Sequence, residues 1–307
     1  VRGVGLGFAN VVRRGSIGVV GASGTGVQEI TSLVHRAGAG ISHAIGTGGR
    51  DLHAAVGGVT SLQAIDLLGR DPSTETIVLL SKPSDASVAR RVLRALASTG
   101  KRGVACLLDS SLEMPPGVEA ARSLADAARL AVAAGANAIT FEPSAVPRVH
   151  LDENQRQVQG LFCGGTLCHE AALVMRESTA HEFVDFGDDH YTRGRAHPML
   201  DPTLRNQAIV QAGANPGVGV ILLDFILGLG SHPDPAGAAV PAIREAVSRA
   251  ASAGRRLVVV AHVVGTERDP QDLTHQEEIL RSAGAYLFPS NYEAALAASW
   301  LTEGAVA

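Results

Sequence analysis

Aromatic residues make up only 4% of this 307-residue chain, which has one Trp and three cysteines. With so few rings, the cores must be packed from Ala, Val, Leu and Ile, a composition suited to layered α/β domains. Cys106, Cys163 and Cys168 are odd in number and lack metal-ligand spacing. That excludes a disulfide framework or a zinc cluster, and reduced thiols point to the cytoplasm. An excess of positive charge is also missing. The formal charge is −4, so no nucleic-acid partner is expected. No uncharged apolar run is long enough for a bilayer, so no membrane partner is expected either. Val1-Arg2-Gly3 lacks the charged start and cleavage site of a secretory leader, and position 1 is not Met. The chain reads as the later portion of a longer polypeptide.

What is plentiful is glycine, 35 residues in a chain that is 46% hydrophobic. The length suits two domains of about 150 residues each. Ile17-Gly18-Val19-Val20-Gly21-Ala22-Ser23-Gly24-Thr25-Gly26 is an apolar run, a Gly-rich turn with a small hydroxyl, and the start of a helical pattern. Leu161-Phe162-Cys163-Gly164-Gly165-Thr166 repeats that plan. A strand feeding a helix through such a turn presents backbone N–H groups and the positive end of the helix dipole, about half an elementary charge. Anions, phosphate above all, fit that geometry. Ser23, Gly24, Thr25, Gly26, Gly164, Gly165 and Thr166 are therefore candidate phosphate ligands. Either turn alone is more often a tight packing device; two at equivalent points of two halves favour the anion.

Hydrophobic periodicity predicts strands at 17–20, 41–45, 76–80 and 103–108, with helices at 28–37, 61–68, 86–98 and 124–133. Strands follow at 160–163, 183–186, 218–225, 257–264 and 285–288, the third apolar throughout, with helices at 167–175, 203–212, 236–250, 277–282 and 292–300. The alternation predicts two flavodoxin-like, doubly wound parallel-sheet domains in tandem. Residues 1–15 read as a connector, 16–142 as the first domain, 143–158 as a polar linker and 159–303 as the second domain. In such sheets ligands sit at the carboxyl ends of the strands. The informative polar runs all fall there.

These residues resemble a known superfamily. The two halves look like the second domain of the succinyl-CoA synthetase α subunit and the last domain of its β subunit, joined in one chain as in ATP-citrate lyase. In that family phosphate lies between two facing helices, whose starts Ser23-Gly24-Thr25 and Gly164-Gly165-Thr166 match. A closer resemblance is to the FdrA-like group of acyl-CoA synthetases, which is associated with oxamate carbamoyltransferase. It rests on Gly21–Gly26, His43-Ala44-Ile45-Gly46, Gly48-Gly49-Arg50-Asp51-Leu52 and Ser81-Lys82-Pro83. It continues through Gly187-Asp188-Asp189, Gly194-Arg195, His197-Pro198-Met199, Asp201–Gln207 and Gly265–Gln271. Two features of succinyl-CoA synthetases are missing. Ser110–Gly117 has no phosphorylated histidine, and Ser81–Asp85 has no catalytic glutamate. The CoA-binding and ATP-grasp domains are expected outside the chain.

The resemblance implies carbamoyl or acyl transfer from a phosphate-activated donor, such as carbamoyl phosphate, to a small carboxylate acceptor such as oxamate. No cofactor is required within the chain. An acyl-CoA synthetase using CoA, Mg2+ and ATP through domains elsewhere is one alternative; a non-catalytic scaffold subunit is another. The expected partners are other subunits of the same pathway, or a second copy of the chain.

Arg195 and His197 are the candidate catalytic residues, the first as a bidentate anion clamp and the second as a carbonyl donor or proton shuttle. Gly49, Arg50, Lys82, Arg205 and Arg268 are candidate substrate contacts, with Arg50 for an acceptor carboxylate. Lys82 is as readily a solvated loop residue. His43 reads as a hydrogen-bonded core histidine and Cys163 as structural, while Asp188-Asp189 suit a magnesium ion or a helix cap.

Overall fold

The computed structural model describes residues 1, 3–133, 142, 146, 148–178 and 180–303. It divides into two compact units, Val1–Ile139 and Thr140–Ala307. Residues 143–145 and 147 of the predicted linker, and 134–141 of the first predicted domain, lie outside the described residues.

The first unit runs β1 (Arg14–Gly21), α1 (Gly24–Arg36), β2 (Ile41–Gly46), α2 (Val59–Arg70), β3 (Thr76–Ser81), α3 (Ala86–Ala97), β4 (Arg102–Leu107), β5 (Val118–Ala120) and α4 (Leu124–Val132). Its parallel sheet has the order β2-β1-β3-β4-β5. Every residue of β3 is buried, as expected where helices cover both faces of a parallel sheet. On α3, Val88, Ala89, Val92, Leu93 and Leu96 are buried; their spacing puts them on one stripe facing the sheet. Burying each of the larger side chains contributes about 1.5–3 kcal/mol.

Two glycine contacts fix how β1 sits. A Cβ on Gly15 would fall 2.6 Å from the backbone of Gly40, and one on Gly21 would fall 2.4 Å from Val27 Cγ2. The first lets β1 meet the entry to β2; the second lets α1 lie close against its own strand.

The second unit runs β6 (Gln157–Phe162), α5 (Gly165–Val174), β7 (Glu182–Asp185), α6 (Asp189–Thr192), α7 (Thr203–Ala214), β8 (Val218–Ile226), α8 (Pro235–Ser252), β9 (Val258–Val264), α9 (Leu273–Ser282), β10 (Tyr286–Phe288) and α10 (Asn291–Glu303). Its sheet order, β10-β9-β8-β6-β7, is the first sheet's order counted from its own first strand. Both follow the flavodoxin-like sequence 2-1-3-4-5. The tandem of doubly wound parallel sheets is as the alternation predicts.

The departures are local. The α1 helix begins at Gly24, not near residue 28, because Ser23 caps it: Ser23 Oγ accepts the Gly26 N–H at 2.9 Å. Gly-rich propensity alone reads as a turn; the cap and the packing of α1 on β1 override it. Likewise α9 begins at Leu273, capped by Asp272. Two short elements, β5 and α6, carry too few apolar residues to be legible. The expected polar linker ends inside β6, whose first residues are Gln157 and Val158. The apolar reading of residues 218–225 needs a correction of more consequence: Asp224 lies in that strand, fully buried.

Candidate functional site

In the first unit the carboxyl edge of the sheet gathers the Ser23 turn and the loops after β2, β3 and β4. Ser23 is buried, Thr25 half-buried and Gly24 exposed. As the first two helical residues, Gly24 and Thr25 have N–H groups with no intrahelical acceptor, whereas the Gly26 N–H is held by the Ser23 cap. The Ala22 N–H donates to Leu80 O of β3 at 3.0 Å, and the Thr47 N–H donates to Gly21 O at 2.9 Å. The loop after β2 is thus tied to the turn.

Asp51 holds that loop's far end by accepting the Thr60 and Ser61 N–H groups at 3.0 and 2.9 Å. The Asp85 N–H donates to Leu52 O at 3.0 Å, which ties in the loop that carries Lys82. Lys82 is half-buried, while Gly49 and Arg50 are exposed. A Cβ on Gly24, Gly46 or Gly48 would meet nothing within 4 Å. These glycines therefore border open space instead of filling a packed turn.

His43 is a paired histidine of β2, its Nε2 lying 3.3 Å from Asp71 Oδ2. The Asp71 carboxyl is held well below the usual carboxylate range, chiefly by the Thr74 hydroxyl and then by Ser73.

The second unit builds its turn differently. Gly164 is the residue before α5 and offers no side-chain cap. Instead the Asp224 carboxylate of β8 accepts the Cys163 N–H on Oδ1 and the Gly164 N–H on Oδ2, both at 2.7 Å. Arg205, which the sequence places among the substrate contacts, is itself buried at 2% exposure. Its Nη1 donates to Asp224 O at 2.5 Å and lies 3.3 Å from Asp224 Oδ1. Its guanidinium also stacks on Phe225, 4.8 Å from the ring centroid. A guanidinium so enclosed serves as the internal counter-ion of Asp224; that corrects the substrate contact expected for it.

Burial pushes the Asp224 carboxyl upward, with Arg205 and the two turn N–H groups opposing. Burial also pushes the Cys163 thiol far up, so Cys163 stays a thiol and acts as packing. The half-buried Gly165 and the buried Thr166 complete the first turn of α5.

Around this turn the loops interlock. The Met199 N–H donates to His197 Nδ1 at 3.2 Å, which assigns the proton of the neutral ring to Nε2. Burial lowers the His197 pKa, with the Asp224 charge pulling the other way. A Cβ on Gly187 would lie 2.7 Å from His197 Nε2, 2.8 Å from Cys163 O and 3.0 Å from Asp185 Oδ1. Only glycine lets the imidazole approach the end of β6.

Met199 O accepts the His232 N–H at 2.7 Å. Gln271 clasps Gly228 through both its amide atoms at 3.0 Å and donates to His232 O at 3.1 Å. Arg195 is exposed. Arg268 is exposed too, loosely paired with Glu267 at 3.8 Å. Asp188 accepts the His190 N–H at 2.8 Å and so caps α6. Among the described residues, no cluster of three or more His, Cys, Asp or Glu side chains is placed to hold a metal ion. Sequence reasoning missed Asp224, although one acidic residue inside nine otherwise apolar or glycine positions was the available signal.

Two five-stranded parallel sheets of one topology, each with a Gly-rich turn at its first strand, make the chain a tandem of doubly wound α/β domains. In comparison with known proteins, these domains are similar to those of CoA ligases. The family model described as CoA-ligase matches residues 161–301, and the one described as CoA binding domain matches residues 12–108. The second match corrects the expectation that all CoA-binding-domain sequence lies outside the chain, although the strand order there is flavodoxin-like.

The uncharacterized protein YahF of Escherichia coli (strain K12) is 40% identical over an alignment of 331 residues, covering 97% of this chain and 64% of YahF. The succinate–CoA ligase [ADP-forming] subunit alpha of Aquifex aeolicus (strain VF5) is 34% identical over 79 residues, 26% of this chain and 25% of that subunit. The chain thus spans less than two thirds of the length of either relative. Among solved structures, the dinucleotide forming acetyl-coenzyme A synthetase 1 of Ca. Korarchaeum cryptofilum covers 94% of this chain and 65% of its own, with 16% identity and a TM-score of 0.34. No helix among the described residues is long and apolar enough to cross a membrane.

Proposed function

We propose that this chain is the ligase part of an acyl-CoA synthetase of the succinyl-CoA ligase kind, an acid–thiol ligase. The supporting observation is the pair of CoA binding domain and CoA-ligase matches, one on each unit, together with the Ser23 turn that borders open space. In the reaction the CoA thiol displaces phosphate from an acyl phosphate, giving a thioester and inorganic phosphate. The helix dipole and the Gly24 and Thr25 N–H groups stabilise the departing phosphate. Lys82 and Arg50 stand at the same sheet edge as cations for phosphate or carboxylate. In the second unit, His197 donates from Nε2 to a carbonyl oxygen, and Arg195 clamps a carboxylate or phosphate. CoA and ATP are substrates in this reading, with Mg2+ accompanying ATP, which is engaged by other parts of the longer protein or by partner subunits.

The test is an assay of the full-length protein with its partner subunits, supplied with CoA, ATP and a panel of small carboxylic acids. Trapping the thioester, with ADP or phosphate release that depends on CoA, is the expected result. Arg195→Ala should lower kcat/KM without changing the fold. No CoA-dependent turnover with any acid overturns the reading.

One observation favours a second reading. The loop after β4 carries Ser110–Gly117 and no histidine, so a phosphohistidine relay has no residue there to form on. Carbamoyl transfer from carbamoyl phosphate to a small carboxylate such as oxamate needs no such relay and no CoA. Phosphate release from carbamoyl phosphate that depends on oxamate and is indifferent to CoA would select it.

A further inference from the structure

The turn before α5 has the sequence of an anion cradle, yet two of its backbone donors already serve a carboxylate of the protein itself. Both oxygens of Asp224 accept backbone N–H groups at 2.7 Å, from Cys163 and Gly164, and the carboxylate is fully buried. Short bonds to both oxygens are those of an ionised acceptor. A carboxylate placed against a helix N-terminus satisfies the dipole as an incoming anion would. Arg205 neutralises Asp224 from the interior side, with Nη1 at 3.3 Å from Oδ1, and its buried Nε has no partner. The pair is closed on itself.

At the equivalent point of the first unit, β3 offers Leu80, whose backbone oxygen alone takes the Ala22 N–H. That strand position brings no carboxylate to the turn.

We propose that Asp224 is a specificity-determining residue that closes the Gly164 turn to phosphate by occupying it from within. The second turn then takes only an uncharged acceptor such as a carbonyl oxygen. A phosphate oxygen bonded to the Gly165 or Thr166 N–H would stand one or two residues from the Gly164 N–H that Asp224 holds, near a carboxylate whose full burial leaves its charge poorly screened. A carbonyl oxygen brings no full charge and meets no such repulsion. The inference rests on the proposed function only for its control, the response of the Ser23 turn.

The test is a titration of the 15N-labelled 307-residue chain with inorganic phosphate, read at the backbone amides of both turns. In the unaltered chain the amides of Gly24 and Thr25 are expected to shift while those of Gly165 and Thr166 do not. Asp224→Leu with Arg205→Met replaces the ion pair by apolar side chains and gives the strand the residue type of Leu80. In that variant the Gly165 and Thr166 amides should respond at phosphate concentrations at least about tenfold lower than any response of the unaltered chain.

If the double variant loses its folded amide dispersion, Asp224→Asn answers the same question with the volume kept. A phosphate response at Gly165 and Thr166 in the unaltered chain overturns the inference. So does a folded variant, double or Asp224→Asn, that remains silent there. Silence at Gly24 and Thr25 counts against the proposed function alone.

Discussion

The two strand-to-helix turns share a topology and a glycine signature but not a way of satisfying their backbone. In the first unit the cap is local: Ser23 Oγ holds the Gly26 N–H, and Ala22 binds the neighbouring strand through backbone atoms. In the second unit the cap is distant. Asp224 reaches from β8 to hold the Cys163 and Gly164 N–H groups, and Arg205 from α7 balances it. A local cap leaves the first helical N–H groups facing outward. A buried carboxylate draws the turn's donors inward and charges the floor beneath it. On the inference proposed above, equivalent positions in a repeated fold have opposite preferences for an anion.

Breaking the distant cap should produce the largest effect. Arg205→Met leaves Asp224 buried without its counter-ion, and a loss of about 3–5 kcal/mol in the unfolding of the second unit is expected. Adding Asp224→Leu should restore most of it, since an apolar pair of similar volume needs no compensation; urea unfolding of the two variants measures both.

Crowding the local turn comes next. Gly21→Ala puts a methyl 2.4 Å from Val27 Cγ2, and overpacking of this kind costs about 1–3 kcal/mol. The loss should fall on the first unit. Removing the local cap is smaller: Ser23→Ala should cost about 0.5–2 kcal/mol, and Ser23→Gly only a few tenths. Ser23→Gly makes the first cap resemble Gly164, so thermal unfolding that showed it as costly as Ser23→Ala would mean the hydroxyl is not the cap.

The two units should also differ in their response to acid. His181 and His197 have folded pKa values lowered chiefly by burial. Below the ordinary value of 6.5 the unfolded chain therefore binds more protons, and stability rises with pH through that window. Acidifying from pH 7 towards 5 should weaken the second unit, and His197→Gln should flatten the slope. Asp224, whose pKa is raised, contributes with the opposite sign: its contribution is full below its unfolded value and is lost as pH rises through the folded one. In the first unit Asp71 is lowered; its contribution is present above its unfolded value and is lost only as pH falls below about 4. Urea midpoints across pH 4–8, with each unit followed by its own amides, check the contrast.

The smallest effect belongs to the surface. Arg249→Ala removes an exposed pair with Glu245 at 2.8 Å, and a change of no more than about 0.5 kcal/mol is expected. A larger loss would mean the pair is part of something other than a solvated helix face.

Alternating apolar runs and glycine stops carried the sequence of elements, because burial of a parallel strand on both faces leaves an unmistakable apolar signature. The β3 and β9 strands, buried throughout, are the plainest cases. Caps shifted the helix starts: the first turn of α1 is Gly24-Thr25-Gly26, which propensity reads as a turn until Ser23 is seen holding Gly26. The Ser23 cap joins atoms three residues apart. The Gly164 turn was visible as a glycine pattern, but its cap was not, since the acceptor stands 60 residues away in the chain.

Sequence by itself determined the tandem α/β architecture, the positions of the two glycine turns and the polar loops at the strand ends. These follow from local periodicity and from residues close in the chain. Only tertiary structure decided that Arg205 faces inward, that His197 carries its proton on Nε2 and that Asp224 fills the second turn. Each depends on atoms brought together from separate elements, and the charge balance of a buried site is set by distances that no local pattern records.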